Sequence, residues 1–170
     1  MIINNIKIFL QNMWKNNLII KMILETCFKF DILFIQEPFW STICSIPSSK
    51  SREGEELVGV PNYPNWLVFA NKLPNIHDYP RVITYVNIRL SFLCFSLCKN
   101  IVSHRDISIV SFFINNNSFF LINIYSDFTQ SALKYLKDTE CYDLKLKRLS
   151  NKTTLVLSNT RELDRVPSTE

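Results

Sequence analysis

The chain has 170 residues, of which 47% are hydrophobic and 20% are charged, and its formal net charge is +4. This balance excludes an intrinsically disordered chain, because disorder requires fewer apolar residues and a larger net charge. The length suits one domain that can bury a core without disulfides. The basic residues form no tract, so their charge permits a polyanionic partner without requiring one.

Glycine is unusually rare in this chain. Only Gly54 and Gly59 are present, whereas average usage of about 7% would supply several more. Two interpretations remain open: an AT-rich coding sequence, or drift in a copy that is no longer under selection.

The five cysteines indicate an intracellular protein. No secretory signal precedes them and their number is odd, so we interpret them as reduced thiols. Cys94 and Cys98 have no partner pair or nearby histidine, and we therefore expect no zinc site. No apolar run is long enough to span a bilayer. We expect a protein of the nucleus or cytoplasm that is not secreted, with no membrane contact and no stable protein partner that the sequence identifies.

The first part of the chain reads as strand, helix and strand. Ile2–Leu10 is rich in β-branched and aromatic residues, and Asp31–Glu37 is a short apolar run that ends in polar residues before a proline. Between them, Asn16–Phe28 has apolar residues at helical spacing, and Asn16 or Asn17 can cap its start. The apolar positions assigned to the helix are Leu18, Ile19, Met22, Ile23 and Cys27.

The rest of the chain predicts mainly strands. The segment Phe39–Pro61 is rich in serine and proline and is predicted to be a loop. The Asn115-Asn116-Asn117 run predicts a hairpin turn. The fold class is therefore α+β, two sheets with helices outside. Strands are predicted at Trp66–Ala70, Arg81–Leu90, Ser103–Ile114, Ser118–Tyr125 and Thr153–Leu157, and a second helix at Gln130–Lys137.

Three polar residues at strand ends are candidates for chemistry. Asn12 follows the first strand, Glu37 follows the most apolar strand, and Tyr125 ends the predicted return strand. A carboxylate at the mouth of a buried sheet is a natural ligand of Mg²⁺, which prefers hard oxygens. An amide or a phenol can bind a phosphate oxygen. Each also has a plain alternative, as a turn residue, a solvated glutamate or a tyrosine at the edge of the core.

Five blocks of sequence, in order and with plausible spacing, resemble the endonuclease/exonuclease/phosphatase superfamily. They are most similar to the endonuclease domain of LINE-type (non-LTR) retrotransposons. The blocks are LQN, FDILFIQEPFW, PRVITYVNIRL, SHRDISIVSFF and FLINIYSDFTQSALKYL. The resemblance implies a four-layer αββα sandwich of two mostly antiparallel sheets flanked by helices. It also implies a hydrolase that nicks DNA with Mg²⁺, or with Mn²⁺ as the alternative.

The resemblance also assigns roles to individual residues. Asn12 matches the asparagine that contacts the metal and phosphate, and Glu37 matches the metal-binding glutamate. Tyr125 matches the tyrosine that contacts the scissile phosphate, so Asn12 and Tyr125 are the catalytic candidates. Arg105 and Asp106 lie in a block that is typical of the retrotransposon branch, and we expect them to form a structural pair.

The second catalytic half of the family pattern is missing or scrambled. The family carries Gly-Asp-x-Asn after a later strand; here that aspartate is absent, and Asn159 is only a degenerate match. The closing Ser-Asp-His block is not found. We therefore expect residues 1–140 to form the N-terminal part of such a domain, with an incomplete C-terminal part. Residues 141–170 are expected to be a divergent tail with one strand.

Three functions are compatible with this pattern. The first is a remnant of a DNA-nicking enzyme, weak or inactive alone. The second is a non-catalytic module that binds nucleic acid or protein, which the basic residues near the end of the chain mildly favour. The third is a non-functional open reading frame derived from a retroelement. These basic residues are Lys145, Lys147, Arg148 and Lys152.

Overall fold

The structure is a computed structural model that describes residues 6–46, 55–72, 78–99, 104–114, 117–125 and 155–158. These ranges contain short strands, one α-helix and one 3₁₀ helix, Ile88–Leu93. The α-helix α1 is Asn17–Thr26. The strands are β1 Ile8–Asn12, β2 Ile32–Gln36, β3 Ser41–Ile46, β4 Glu55–Gly59, β5 Trp66–Phe69, β6 Val82–Asn87, β7 Ser96–Leu97, β8 Ile107–Ile114, β9 Asn117–Ile124 and β10 Leu155–Ser158.

The predicted order of strand, helix and strand is present, and β1 pairs with β2 in parallel. β1 begins and ends later than the predicted strand Ile2–Leu10, of which residues 2–5 lie outside the described ones. Helix α1 begins where Asn16 Oδ1 accepts hydrogen bonds from the backbone N of Leu18 at 2.9 Å and of Ile19 at 3.2 Å. Such a cap satisfies donors that the helix itself cannot, and it contributes about 1 kcal/mol. The predicted cap at Asn16 is confirmed.

Only some of the apolar residues of α1 are buried. Ile20, Ile23 and Leu24 are buried, whereas Leu18 is 77% exposed and Met22 is 56% exposed. The apolar spacing therefore located the helix but not its buried face. Apolar residues occupy two overlapping helical faces of this segment, and the position of the sheet decides which face is buried.

A four-stranded sheet, β1-β2-β6-β5, forms the centre of the fold, and β2 is buried along its whole length. Leu33 and Ile35 belong to the core cluster that includes α1, whereas Ile32 and Phe34 belong to the cluster that includes the other sheet. Alternate residues of a strand point to opposite faces, so β2 contributes to both cores. Within the described ranges, the layers are therefore a helix, a sheet and a second sheet.

The second sheet has the order β10-β9-β8-β7. β8 and β9 form a long antiparallel hairpin, from the pair Ile107↔Ile124 to the pair Ile114↔Asn117, as the asparagine run predicted. β10 lies parallel to β9 and overlaps the predicted strand Thr153–Leu157, beginning two residues later and ending one residue later.

Two predicted segments were assigned incorrectly. The predicted loop Phe39–Pro61 contains an antiparallel hairpin of β3 and β4 with an irregular register near Thr42. The predicted strand Arg81–Leu90 ends at Asn87, where Asn87 Oδ1 accepts a hydrogen bond from the backbone N of Arg89 at 3.2 Å and begins the 3₁₀ helix. The two sheets and few helices agree with α+β class. The fourth layer of the expected αββα sandwich is not seen in the described residues, and the predicted helix Gln130–Lys137 lies outside them.

Neither helix of the described part of the chain is both long enough and apolar enough to cross a membrane.

Two buried hydroxyl groups lie in the interior without a hydrogen-bond partner among the described residues, Thr84 Oγ1 and Ser108 Oγ. Burying an unpaired hydroxyl costs free energy, so Thr84→Val is expected to raise the free energy of unfolding by about 1 kcal/mol. Urea unfolding measures this change. Thr84→Ala is the control: it also removes the hydroxyl but leaves a gap, and it should be less stable than Thr84→Val. A Thr84→Val protein less stable than the wild type would contradict the prediction.

Candidate functional site

The polar candidates lie at one end of the two sheets. β1 and β2 end there with Asn12 beside Gln36, and the antiparallel β6 begins there with Val82 beside Gln36. At the corresponding end of the second sheet, β8 begins and β9 ends, since Ile107 pairs with Ile124. We call this end the rim and define it by Asn12, Lys15, Glu37, Arg81, Arg105, Asp106 and Tyr125.

Backbone hydrogen bonds join the segments of the rim. Lys15 N donates to Glu37 O at 2.8 Å, and Glu37 N donates to Arg81 O at 2.7 Å. Arg81 N donates to Arg105 O at 2.6 Å, which connects the first sheet to the loop that precedes β8. Residues far apart in the sequence are therefore held side by side at the rim.

Two buried amides connect the sheets just below the rim. Gln36 Nε2 donates to Ile124 O at 2.7 Å, and Asn123 Nδ2 donates to Ile83 O at 3.0 Å. Both amide side chains are fully buried. A buried amide that loses its partner costs about 1–3 kcal/mol, so these bonds favour one relative position of the sheets.

The rim also contains an almost completely buried carboxylate. Arg81 donates to both oxygens of Asp106, with Nη2 2.8 Å from Oδ2, and Asp106 is 3% exposed. Tyr125 N donates to Asp106 O at 2.9 Å, and the Arg81 guanidinium lies 4.4 Å from the centre of the Tyr125 ring. This arrangement orients Arg81 through a bidentate pair and a cation–π contact.

The predicted pair of Arg105 and Asp106 exists, with Arg105 Nε 3.7 Å from Asp106 Oδ1. It is secondary, because Arg81 makes the shorter, two-pronged contact with the same carboxylate. Arg81 lies in one of the five blocks of the resemblance, but the sequence indicated no partner for it. No local pattern signals that pair, since 25 positions separate its members.

Glu37 has an unusual backbone conformation, with φ of 45°. Its neighbours across the rim, Trp14 and Lys15, have φ of 44° and 57°. A left-handed conformation costs a residue with a Cβ about 1–2 kcal/mol, and such residues are frequent at functional sites. Glu37 is half-buried, and its carboxylate makes no hydrogen bond or ion pair with another described residue.

The three candidate residues have different surroundings. Asn12 lies beside Gln36, one position from Glu37, and its Oδ1 accepts a hydrogen bond from Trp14 N at 2.9 Å. Arg81 links Glu37 to Tyr125. Its backbone O accepts a hydrogen bond from Glu37 N, and its guanidinium lies over the Tyr125 ring. Asn159, the degenerate candidate, lies outside the described residues.

A pocket of about 430 Å³ opens beside Glu37. It contains three basic side chains and two carboxylates, together with an aromatic wall in which the rings of Trp40 and Tyr79 stack with their centres 5.3 Å apart. Sequence reasoning missed this wall, although aromatic residues beside Pro38 and Pro80 were a possible signal. The lining residues are Lys15, Glu37, Pro38, Phe39, Trp40, Asp78, Tyr79, Pro80, Arg81 and Arg105.

The Mg²⁺ ion implied by the resemblance has few ligands here. Among the described residues, no group of three or more His, Cys, Asp and Glu side chains could hold a metal. Glu37 supplies one carboxylate, and Asn12 supplies an amide oxygen that the turn already uses. Mg²⁺ keeps several waters and commonly uses only one or two carboxylates, so one carboxylate and one amide oxygen are compatible with weak Mg²⁺ binding. The basic side chains of the same pocket weaken it further.

No protein-family model matches the chain, and no curated protein matches it. Among solved structures, the chain is similar to one described as "Endonuclease domain of TRAS1, a telomere-specific non-LTR retrotransposon". The two share 13% sequence identity with a TM-score of 0.58, over 91% of this chain and 58% of that one. The likeness shows an endonuclease-like fold, and the chain spans little more than half the length of that domain.

The Arg81 pair can be tested by its effect on stability. Arg81→Met is expected to lower the free energy of unfolding by roughly 3 kcal/mol, because Asp106 stays buried without its main partner. The control is Arg89→Met. Arg89 pairs with Asp31 but is 49% exposed, and Asp31 keeps a hydrogen bond from Lys7 N at 2.8 Å. Chemical unfolding should therefore show a smaller loss for Arg89→Met, and equal losses would contradict the assignment.

Proposed function

We propose that the chain is a partial endonuclease domain of the retrotransposon type, which contacts the phosphate backbone of DNA at the rim. The main support for this proposal is that backbone hydrogen bonds join Lys15, Glu37 and Arg81 at one end of an endonuclease-like fold. The two basic side chains suit direct contact with a phosphate, and the carboxylate suits a divalent metal ion that binds the same phosphate. We further propose that the family-like part ends near residue 140.

Each rim residue has a proposed role. Glu37 and Asn12 would hold one Mg²⁺ or Mn²⁺ ion, which when bound supplies Lewis-acid polarisation of a phosphate oxygen. Tyr125 would contact the same phosphate group. Arg81, oriented by Asp106 and by the Tyr125 ring, would donate hydrogen bonds to a phosphate oxygen and balance its charge.

We propose that this chain alone has little or no nicking activity. General acid–base groups contribute about 10²–10⁴ in rate, and oriented electrostatic donors about 10²–10³ each. The Gly-Asp-x-Asn and Ser-Asp-His elements that supply these groups in the family do not occur in the sequence. The two histidines of the chain, His77 and His104, lie in other blocks of the sequence than the closing Ser-Asp-His element.

A second candidate function is nucleic-acid binding without catalysis. It is favoured by the pocket beside Glu37, which is lined by the cationic side chains of Lys15, Arg81 and Arg105. Most of the affinity of proteins for nucleic acid comes from neutralising phosphates with Lys and Arg. A binding module therefore needs the cations of the rim but not the missing catalytic elements.

A plasmid-nicking assay tests the catalytic proposal. With Mg²⁺, the wild-type chain is expected to convert supercoiled plasmid to the nicked form no faster than Glu37→Ala does. Glu37→Gln, which keeps the size of the side chain, controls for effects on folding. Nicking by the wild type that both variants lack would show that the chain is an active enzyme and would overturn this part of the proposal.

Isothermal titration with Mg²⁺ tests the metal site separately. Binding is expected to be weak and to disappear in Glu37→Gln, because the amide of glutamine lacks the charge that attracts the cation. Asp31→Asn serves as the control, since Asp31 is a buried carboxylate that pairs with Arg89 elsewhere in the fold. Equal Mg²⁺ binding by the wild type and Glu37→Gln would exclude Glu37 as the ligand.

A further inference from the structure

The aromatic wall of the pocket is a built feature rather than a loose contact. Trp40 Nε1 donates to Pro80 O at 3.0 Å, and the indole packs against the core cluster that includes α1. Tyr79 lies on this fixed indole with an angle of 24° between the rings. Trp40 thus supports one side of Tyr79 and holds the ring at the mouth of the pocket.

Tyr79 extends the wall outward instead of filling the core. It remains 37% exposed and belongs to neither core cluster of the described residues. The stacked pair Phe112 and Phe119 shows the contrast, because both of those rings pack within or against the core between the sheets. An aromatic ring that is supported on one face and accessible from solvent can stack on a flat ligand.

Cations lie next to this ring in the same pocket. Arg81 is two residues from Tyr79 and is oriented by Asp106, while the Arg105 side chain is 49% exposed. Lys15, which also lines this pocket, adds a third positive charge. The volume of about 430 Å³ lies in the range of about 300–1,000 Å³ that is common for small ligands. A flat group joined to an anionic group is the ligand that this combination fits.

We propose that the pocket beside Glu37 binds an unpaired nucleotide, with the base stacked on Tyr79 and the adjoining phosphate held by Arg81 and Arg105. Single-stranded nucleic acid is the partner, because stacking within a duplex covers the faces of its bases. This inference rests on the proposed function only in taking nucleic acid as the partner, and it requires neither a metal ion nor catalysis.

Fluorescence anisotropy with labelled oligothymidine, oligouridine and a DNA duplex of equal length tests the inference, in EDTA so that no cleavage intervenes. The wild type is expected to bind a single strand more tightly than the duplex. Tyr79→Ala should weaken single-strand binding about tenfold, the typical loss of one stacked base. Tyr79→Phe keeps the ring and should bind as the wild type does. The oligothymidine and oligouridine arms show whether the DNA or the RNA strand binds more tightly, and tighter binding than duplex in either arm supports the inference.

Two controls separate a binding defect from a folding defect. Phe113 is 53% exposed near the end of β8 that is distant from the rim, and Phe113→Ala should leave binding unchanged. Arg105→Gln should weaken the binding of single strands and of duplex equally. It should also reduce the salt dependence of the affinity by the amount that corresponds to about one phosphate contact. Thermal melts should show that all variants remain folded.

The outcomes also separate this inference from the proposed function. If duplex DNA binds through the rim but Tyr79→Ala leaves single-strand binding unchanged, the stacking site is wrong and the proposed function stands. If neither single strands nor duplex bind the folded wild type, both are wrong. If Tyr79→Ala weakens duplex and single strands equally, the preference for an unpaired base is excluded.

Discussion

The candidate site depends on the buried hydrogen bonds by which Gln36 and Asn123 connect the two sheets. Because neither amide can reach water, a shift of one sheet against the other would leave a polar group unpaired in the core. Glu37 directly follows Gln36, and Tyr125 comes two residues after Asn123. The same bonds that join the sheets therefore also set the distance between these two residues at the rim.

The electrostatics of the rim follow from one further constraint, the burial of Asp106. A carboxylate that is 3% exposed requires a partner, and Arg81 supplies two hydrogen bonds to it. This arrangement holds Arg81 between Tyr125 and the pocket beside Glu37. Lys15 and Arg105 line the same pocket, and these cations are the reason why we propose weak metal binding and contact with nucleic acid.

Features with local causes were predictable from the sequence. Asn16 caps α1 through hydrogen bonds from residues two and three positions ahead, and the asparagine run that ends at the first residue of β9 marks the hairpin with β8. The apolar run of β2 indicated a strand covered on both faces, as the structure has it. The hairpin of β3 and β4 escaped prediction, because its serine- and proline-rich surroundings are typical of a loop.

The sequence by itself determined where the principal strands and α1 lie and which polar residues follow them, since capping, turns and side-chain periodicity act over a few residues. It did not determine which face of α1 is buried, because Leu18 and Ile20 are equally apolar and only packing on the sheet distinguishes them. Nor did it reveal that Arg81 pairs with Asp106 or that Tyr79 stacks on Trp40. Those contacts join residues that are distant along the chain, so only the tertiary arrangement of the sheets and loops decided them.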